Sequence, residues 1–253
     1  MTEPLSSSRV PLGDCSLCRF RGKTLLTGRC MLGDTCVLAE SGRQIDRFFR
    51  INPQYAQQFL QDAFWERRAI AVRYAPLAAL TEVMQDEDEV VRRALAYRLP
   101  AHQLLAFIND PDREVRMTVA DRINPENLEL LANDEDYIVR LTVVKRLQPG
   151  RLFRFIKDPD LQVRKVVAER LPEVSLGLMK DDGDPEVRRI IARRIADEEA
   201  VDFLQDEDWL VRYIATQHAP ASALAPLLTD VEPDIRALAR QRLNKTPKEE
   251  TDD

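Results

Sequence analysis

The sequence predicts an all-α fold in which eight 24-residue repeats stack into a superhelical solenoid behind a small cysteine-rich module. Three observations predict it. Asp recurs at Asp62, Asp86, Asp110, Asp134, Asp158, Asp182, Asp206 and Asp230, and Arg at Arg68, Arg92, Arg116, Arg140, Arg164, Arg188, Arg212 and Arg236, without insertion. Arg makes up 30 of the 253 residues, so eight of eight at one phase has a chance probability on the order of one in a million. The apolar–polar alternation of strands is absent, which argues against a horseshoe lined by a β-sheet although the period suits one. Composition also divides the chain: all four cysteines lie within 22 residues and five of the eight glycines within the first 42, while residues 52–244 hold no Cys and three Gly.

Residues 1–42 form the first element, a loop-rich module in which Cys15, Cys18, Cys30 and Cys36 are spaced C-x2-C-x11-C-x5-C. The N-terminal residues contain no apolar core of a secretory signal, so a cytoplasmic address follows, and there four clustered soft ligands point to metal rather than disulfides. Structural zinc usually takes two close C-x2-C pairs; here only the first pair is close. The wider second pair, and the glycines of RFRGKTLLTGR that would let backbone amides approach sulfide, suit an iron-sulfur cluster. Zinc, and free or regulatory thiols, are the other two readings of the same spacing.

Residues 43–61 follow as a capping helix and partial repeat. Arg50, Ile51, Asn52 and Pro53 match Arg122, Ile123, Asn124 and Pro125, which stand 72 residues later, so the lattice extends backward into a diverged half-repeat. The cysteine module is expected to dock there.

Residues 62–244 are the eight repeats. DPDREVRMTVADRI at 110–123 and DPDLQVRKVVAERL at 158–171 each read as one helix, with Asp112 or Asp160 placed to accept backbone N–H bonds at its start. Apolar residues fall at i, i+4 and i+8 (Val115, Val119, Ile123; Val163, Val167, Leu171), which makes one face buried. A proline at or just after the last of these stops the helix, because its ring supplies no N–H. Leu104, Phe107 and Ile108, or Leu152, Phe155 and Ile156, then mark a second helical piece of about two turns. The last segment, 245–253, KTPKEETDD, is too polar to pack and is expected to be disordered.

The recurring Arg has two readings. A basic ladder for phosphate or an acidic partner conflicts with the array's 27 basic against 34 acidic side chains over residues 52–244. Fork-like bonding to Asp side chains or orphan carbonyls of the adjoining repeat fits better, since Arg outnumbers Lys 30 to 7. A second column six residues later (Arg98, Arg122, Arg146, Arg170, Arg194, Arg242) is interrupted by Tyr74 and His218, and reads as solvated or inter-repeat. His102 and His218 occupy unrelated repeat positions. Trp65 and Trp209 read as packing or surface anchors.

Taken together, the 24-residue phrase DPDxxVRxxVAxRL and the preceding CSLCRFRGKTLLTGRCMLGDTC resemble the iron-sulfur members of the leucine-rich repeat variant (LRV) family over nearly the whole chain. The resemblance implies alternating α and 3₁₀ helices in a right-handed superhelix, with Cys15, Cys18, Cys30 and Cys36 binding a [4Fe-4S] cluster. It implies an association with nitrogen fixation and supplies no defined activity. HEAT-like repeats share the phrase, but their longer unit does not fit this period.

The expected function is therefore a cytoplasmic iron-sulfur repeat protein that acts as a protein-interaction scaffold, its cluster exchanging electrons with a redox partner or sensing oxidation. The alternative is a scaffold whose metal module only caps the array; the third reading, a HEAT-like nucleic-acid-binding protein, is opposed by the acidic array. No enzyme is expected, because no phosphate-binding Gly-rich loop, nucleophile elbow or His-carboxylate constellation is present. No stretch of the chain approaches the roughly 20 apolar residues of a membrane span.

Overall fold

The computed structural model describes residues 11–245, and the expected tail falls outside them except for Lys245, which ends the last helix. Two short helical pieces precede the array: α1 (Arg21–Thr24) within the cysteine module and α2 (Gly42–Ile51). The repeats then supply α3 (Trp65–Tyr74), α4 (Glu89–Arg98), α5 (Arg113–Arg122), α6 (Tyr137–Arg146), α7 (Leu161–Arg170), α8 (Pro185–Arg194), α9 (Trp209–His218) and α10 (Pro233–Lys245). A 3₁₀ segment follows each of α2 to α9, as in Ala101–Phe107 or Pro149–Phe155. Among the described residues the one strand-like pairing is an isolated bridge between Met31 and Thr35. Among the described residues no helix is long and apolar enough to cross a membrane.

Leg lengths explain the alternation. Ten α-residues rise about 15 Å and seven 3₁₀ residues about 14 Å, so the two legs of a repeat are equal and the chain returns to its starting level. The turn out of the α leg is made by sequence: Leu99, which precedes Pro100, takes an extended ψ of 147° while its N–H still donates to Leu95 O. The helix therefore ends at Arg98.

The starts of α4 to α9 use two aspartates each. Asp112 caps α5 by accepting from Val115 N–H at 3.0 Å, and Asp160 caps α7 by accepting from Gln162 and Val163 N–H at 2.8 and 3.3 Å. The helices thus begin at residues 113 and 161, three positions inside the runs read from sequence, because the leading Asp-Pro-Asp forms the approach and cap. The recurring Asp stands two residues before the cap and braces it: Asp158 Oδ1 accepts Asp160 N–H at 2.9 Å.

The same Asp receives the first Arg column. Arg68 donates from Nε and Nη2 to the two oxygens of Asp86, both at 2.8 Å, and from Nη1 to Asp62 O at 2.9 Å. Arg92–Asp110, Arg140–Asp158, Arg164–Asp182, Arg188–Asp206 and Arg212–Asp230 repeat this fork. The second column caps the preceding helix. Arg170 donates to Val144 O and, at 2.9 Å, to Leu147 O; Arg194 likewise reaches Ala168 and Leu171. Those are carbonyls left without intrahelical partners at a helix C-terminus, where a cation also meets the favourable end of the dipole.

The chain divides at the Asn127–Leu128 bond into two compact units. In the first, Val91, Leu95 and Leu99 of α4 and its exit, Leu104 and Phe107 of the following segment, and Val115, Val119 and Ile123 are all at most 2% exposed. In the second, Val139, Val143, Leu147, Leu152, Phe155, Val163, Val167 and Leu171 form the matching column. Burying each such side chain contributes about 1.5 to 3 kcal/mol, which no isolated repeat could gain.

Candidate metal centre

The four cysteines lie on turns that α2 and the segment Pro53–Phe59 hold in place. Asp14 Oδ1 accepts both the N–H and the hydroxyl of Ser16, at 2.7 and 2.6 Å, and Cys18 N–H reaches Cys15 O at 3.4 Å. This tight turn, reinforced by the short Asp14 side chain, carries the first pair. These bonds hold the Asp14 carboxyl below the usual range.

Phe20 then drops into the protein, 4% exposed, against Phe48, Tyr55 and Phe59, with ring centroids 6.0, 4.6 and 5.6 Å away. Arg19 lies over the Phe20 and Phe59 rings. This aromatic cluster docks the module. After α1, Gly28 turns the chain at a φ of +69°, which favours glycine, and Asn52 Nδ2 donates to Arg29 O at 2.9 Å beside Cys30. Gly33, at φ +77°, closes the small loop bridged by Met31 and Thr35. Cys30 Sγ donates to Thr35 O at 3.1 Å, and Cys36 N–H donates to Gln44 O of α2 at 3.2 Å. Asp34 of the loop pairs with Arg43 and Arg47 of α2.

The sequence placed glycine in RFRGKTLLTGR for close approach. The structure adds a close approach at a glycine outside that stretch. Among the described residues, no atom beyond the adjoining chain and its own helix lies within 4 Å of where a Cβ would stand on Gly22 or Gly28, whereas at Gly13 a Cβ would meet Cys36 Sγ at 2.8 Å and Ala39 N at 3.0 Å. Gly28 serves the backbone angle, and Gly13 leaves room beside the buried Cys36 sulfur.

Cys15, Cys18, Cys30 and Cys36 are unpaired by disulfides, and their charges bear on one another. Burial, then the neighbouring Cys36, Cys15 and Cys18, push the Cys30 thiol up to about 11. Burial and the Cys36 and Cys18 thiols raise Cys15 as well. Cys15 and Cys30, whose ionisation is opposed in this way, become thiolates at neutral pH only beside a compensating cationic group, and that chemistry fits a metal centre. Among the described residues, no three His, Cys, Asp or Glu side chains are grouped to hold a metal ion. Gln44 Oε1 and Asn52 Oδ1, on the α2 side, are buried without a hydrogen-bond partner. Sequence reasoning missed Gly13, Phe20, Gln44 and Asn52; the Asn-Pro pair that begins the second segment of the half-repeat was the one available signal.

The Arg columns form no free ladder. Arg68, Arg92, Arg140, Arg188 and Arg212 are each held above the ordinary guanidinium range by the hydrogen-bonded Asp of the next repeat. A cleft of about 650 Å³ in the second unit shows the resulting surface: Arg188 lies in it among Asp182, Asp206 and Glu207, with Lys180 facing Asp202. His218 substitutes for Arg in the second column, its Nε2 2.6 Å from Ala192 O and its Nδ1 2.9 Å from Asp197 Oδ1. Trp65 and Trp209 open α3 and α9, and both are exposed.

Comparison with known proteins agrees with this architecture. A family profile described as "LRV protein FeS4 cluster" matches residues 12–58, which include all four cysteines. A solved structure, described as a leucine-rich repeat variant with a novel repetitive protein structural motif, is 59% identical, with a TM-score of 0.84, over 92% of this chain and 99% of that one. A Rhodobacter capsulatus protein described as an uncharacterized 27.7 kDa protein in the nifB 3' region is 37% identical over 99 residues, or 39% of this chain; the chain spans 40% of the length of that curated relative. Cysteine module, repeat architecture and likeness along the chain converge: the protein belongs to the leucine-rich repeat variant family and is an iron-sulfur repeat protein.

Proposed function

We propose that the chain is a cytoplasmic, non-enzymatic protein in which Cys15, Cys18, Cys30 and Cys36 hold a [4Fe-4S] cluster and the array presents a surface to a protein partner. The cluster, when bound, supplies a one-electron couple. The observation that carries the reading is the thiol set itself: four cysteines free of disulfides on turns tied to one another and to α2 by Cys30 Sγ–Thr35 O and Cys36 N–Gln44 O. Only Cys15 and Cys18 form a close C-x2-C pair, while Cys30 and Cys36 are spread by five residues. Structural zinc usually takes two such close pairs, while in a cubane each cysteine binds its own iron, which suits the wider second pair. The unpaired thiols suit a reducing compartment. Four protein ligands saturate the irons and leave no open position for a substrate, which supports a role in electron exchange or oxidation sensing with a redox protein as partner.

The aromatic docking of Phe20 supports a second reading, in which the module is a structural cap on the array. A nucleic-acid role is disfavoured because the recurring arginines are spent on aspartates. Purification without oxygen, followed by metal and acid-labile sulfide analysis, tests the cluster. About four iron and four sulfide per chain are expected, with the visible absorption lost in Cys18→Ser and Cys30→Ser. Stoichiometric zinc without sulfide overturns it. Voltammetry separates the two roles: a reversible couple supports electron exchange, and a silent cluster with frayed first repeats on its removal supports the cap.

A further inference from the structure

We propose that the leucine and methionine side chains around the four thiols, together with the cations between them, form a docking face for an acidic protein with an apolar centre. The inference rests on the cluster reading and names the chemistry of the partner at that site. Leu12, Leu17, Leu26, Met31 and Leu32 are 68, 80, 81, 63 and 50% exposed. Single exposed leucines are ordinary. Among the described residues, however, five of the 18 exposed large apolar ones fall within the 21 residues 12–32, and the other 13 are spread over residues 33–245. That density is several times the array's.

Four of these side chains also share one place. Leu12 adjoins Gly13, where a Cβ would meet Cys36 Sγ at 2.8 Å, Cys36 follows Thr35, the bridge partner of Met31, and Leu17 and Leu32 stand one and two residues from Cys18 and Cys30. The module does not need them for folding, because Phe20, Thr24, Val37 and Ala39 make its buried contacts. Interleaved with them, Arg19, Arg21, Lys23 and Arg29 are exposed and form no ion pair with a carboxylate among the described residues. Elsewhere in the module the basic residues Arg43 and Arg47 already face Asp34.

An apolar centre with cations around it fits a surface of reversed charge. The array, with 27 basic and 34 acidic residues over 52–244, repels an acidic protein and leaves this end as its approach. Single-stranded nucleic acid would want exposed rings for base stacking, and residues 12–32 have one aromatic residue, the buried Phe20. A membrane surface would want one amphipathic helix face, and α1 is a single turn.

The test uses the holoprotein and an acidic flavodoxin as probe, with binding read by calorimetry over a range of salt. The unaltered protein is expected to bind, more weakly as salt rises. Leu17→Ser with Leu32→Ser, and separately Lys23→Glu with Arg29→Glu, are each expected to weaken binding at least tenfold, and only the charge pair should remove the salt dependence. Cluster absorption and thermal unfolding should be unchanged. Equal binding by all three proteins overturns the proposal. So does binding to phosphatidylserine vesicles, or self-association sensitive to these variants, in place of flavodoxin binding. Voltammetry on the same samples keeps the two readings apart: a reversible couple without flavodoxin binding overturns the docking face alone, and binding without a couple supports the face while removing electron exchange.

Discussion

Arg140 holds Asp158, eighteen residues ahead in the next repeat, through two near-parallel hydrogen bonds of 2.8 and 2.9 Å, while its Nη1 returns to Asp134 O at 2.8 Å. One guanidinium therefore ties its own approach loop to that of its successor. The Arg140 and Asp158 residues are 8 and 7% exposed, so solvent screening is slight and loss of one partner leaves a buried charge.

Arg140→Ala is expected to lower stability by about 3 kcal/mol, since an unpaired buried carboxylate is left behind. Arg140→Lys should recover less than half of this, because an ammonium cannot present parallel donors and reach the carbonyl as well. Urea denaturation midpoints measure both. A change in Arg140→Ala below about 0.5 kcal/mol, the range of ordinary surface substitutions, would refute the fork as a structural tie.

Acid should loosen the second unit in a defined direction. Arg189 holds the Asp208 carboxyl, and Arg212 the Asp230 carboxyl, below the usual range. A depressed folded-state pKa gives stability that is complete above the unfolded value of about 3.9 and is lost as pH falls from there through the folded value. Unfolding free energy should thus be flat near neutrality and decline below about pH 4. Asp208→Asn with Asp230→Asn should lower the neutral plateau and flatten the decline; an unchanged slope contradicts the assignment.

His218 stands where other repeats use Arg, reaching Ala192 O alone among the carbonyls that end α8. In the preceding repeat Arg194 reaches both Ala168 and Leu171. His218→Arg is expected to stabilise by about 0.5 to 1 kcal/mol, through a second charge-assisted bond at the negative end of the helix. A lower thermal midpoint would show that the bond from His218 to Asp197 matters more.

Phe20→Ala should release the cysteine module from α2. Loss of a buried phenylalanine typically costs about 3 to 5 kcal/mol, and here the cost should be local. Amide exchange is expected to quicken in α2 and in Pro53–Phe59 while α9 amides keep their protection. Uniform exchange throughout would instead mean that module and array unfold as one.

The period, the capping aspartates and the short second leg were legible because each is a repeated local choice of side chain. Asp112 and Asp160 could be placed at helix starts from residue type alone. The fork from Arg140 to Asp158 was half visible: an Arg six places after one Asp lies eighteen before the next. The acceptors of Arg170 and Arg194 were hidden, since a backbone carbonyl has no signature in the residue that carries it. The thiol set was legible from spacing. Its docking was not, because the contacts of Phe20 with Tyr55 and Phe59 follow no period, and the space kept by Gly13 for Cys36 depends on a fold-back of 23 residues.

The ties made by Arg164 and Arg170 show the intervals of the two Arg columns: eighteen residues forward from the first, and 26 or 23 back from the second. A tandem duplication of any 24-residue window within the array, wherever its ends fall, therefore leaves each donor opposite an acceptor of the same kind. An insertion of any other length strands an arginine and a carboxylate together. Such a chain can gain or lose length in whole increments without redesigning a single joint, so the number of repeats is free to drift even while the chemistry of each joint is fixed.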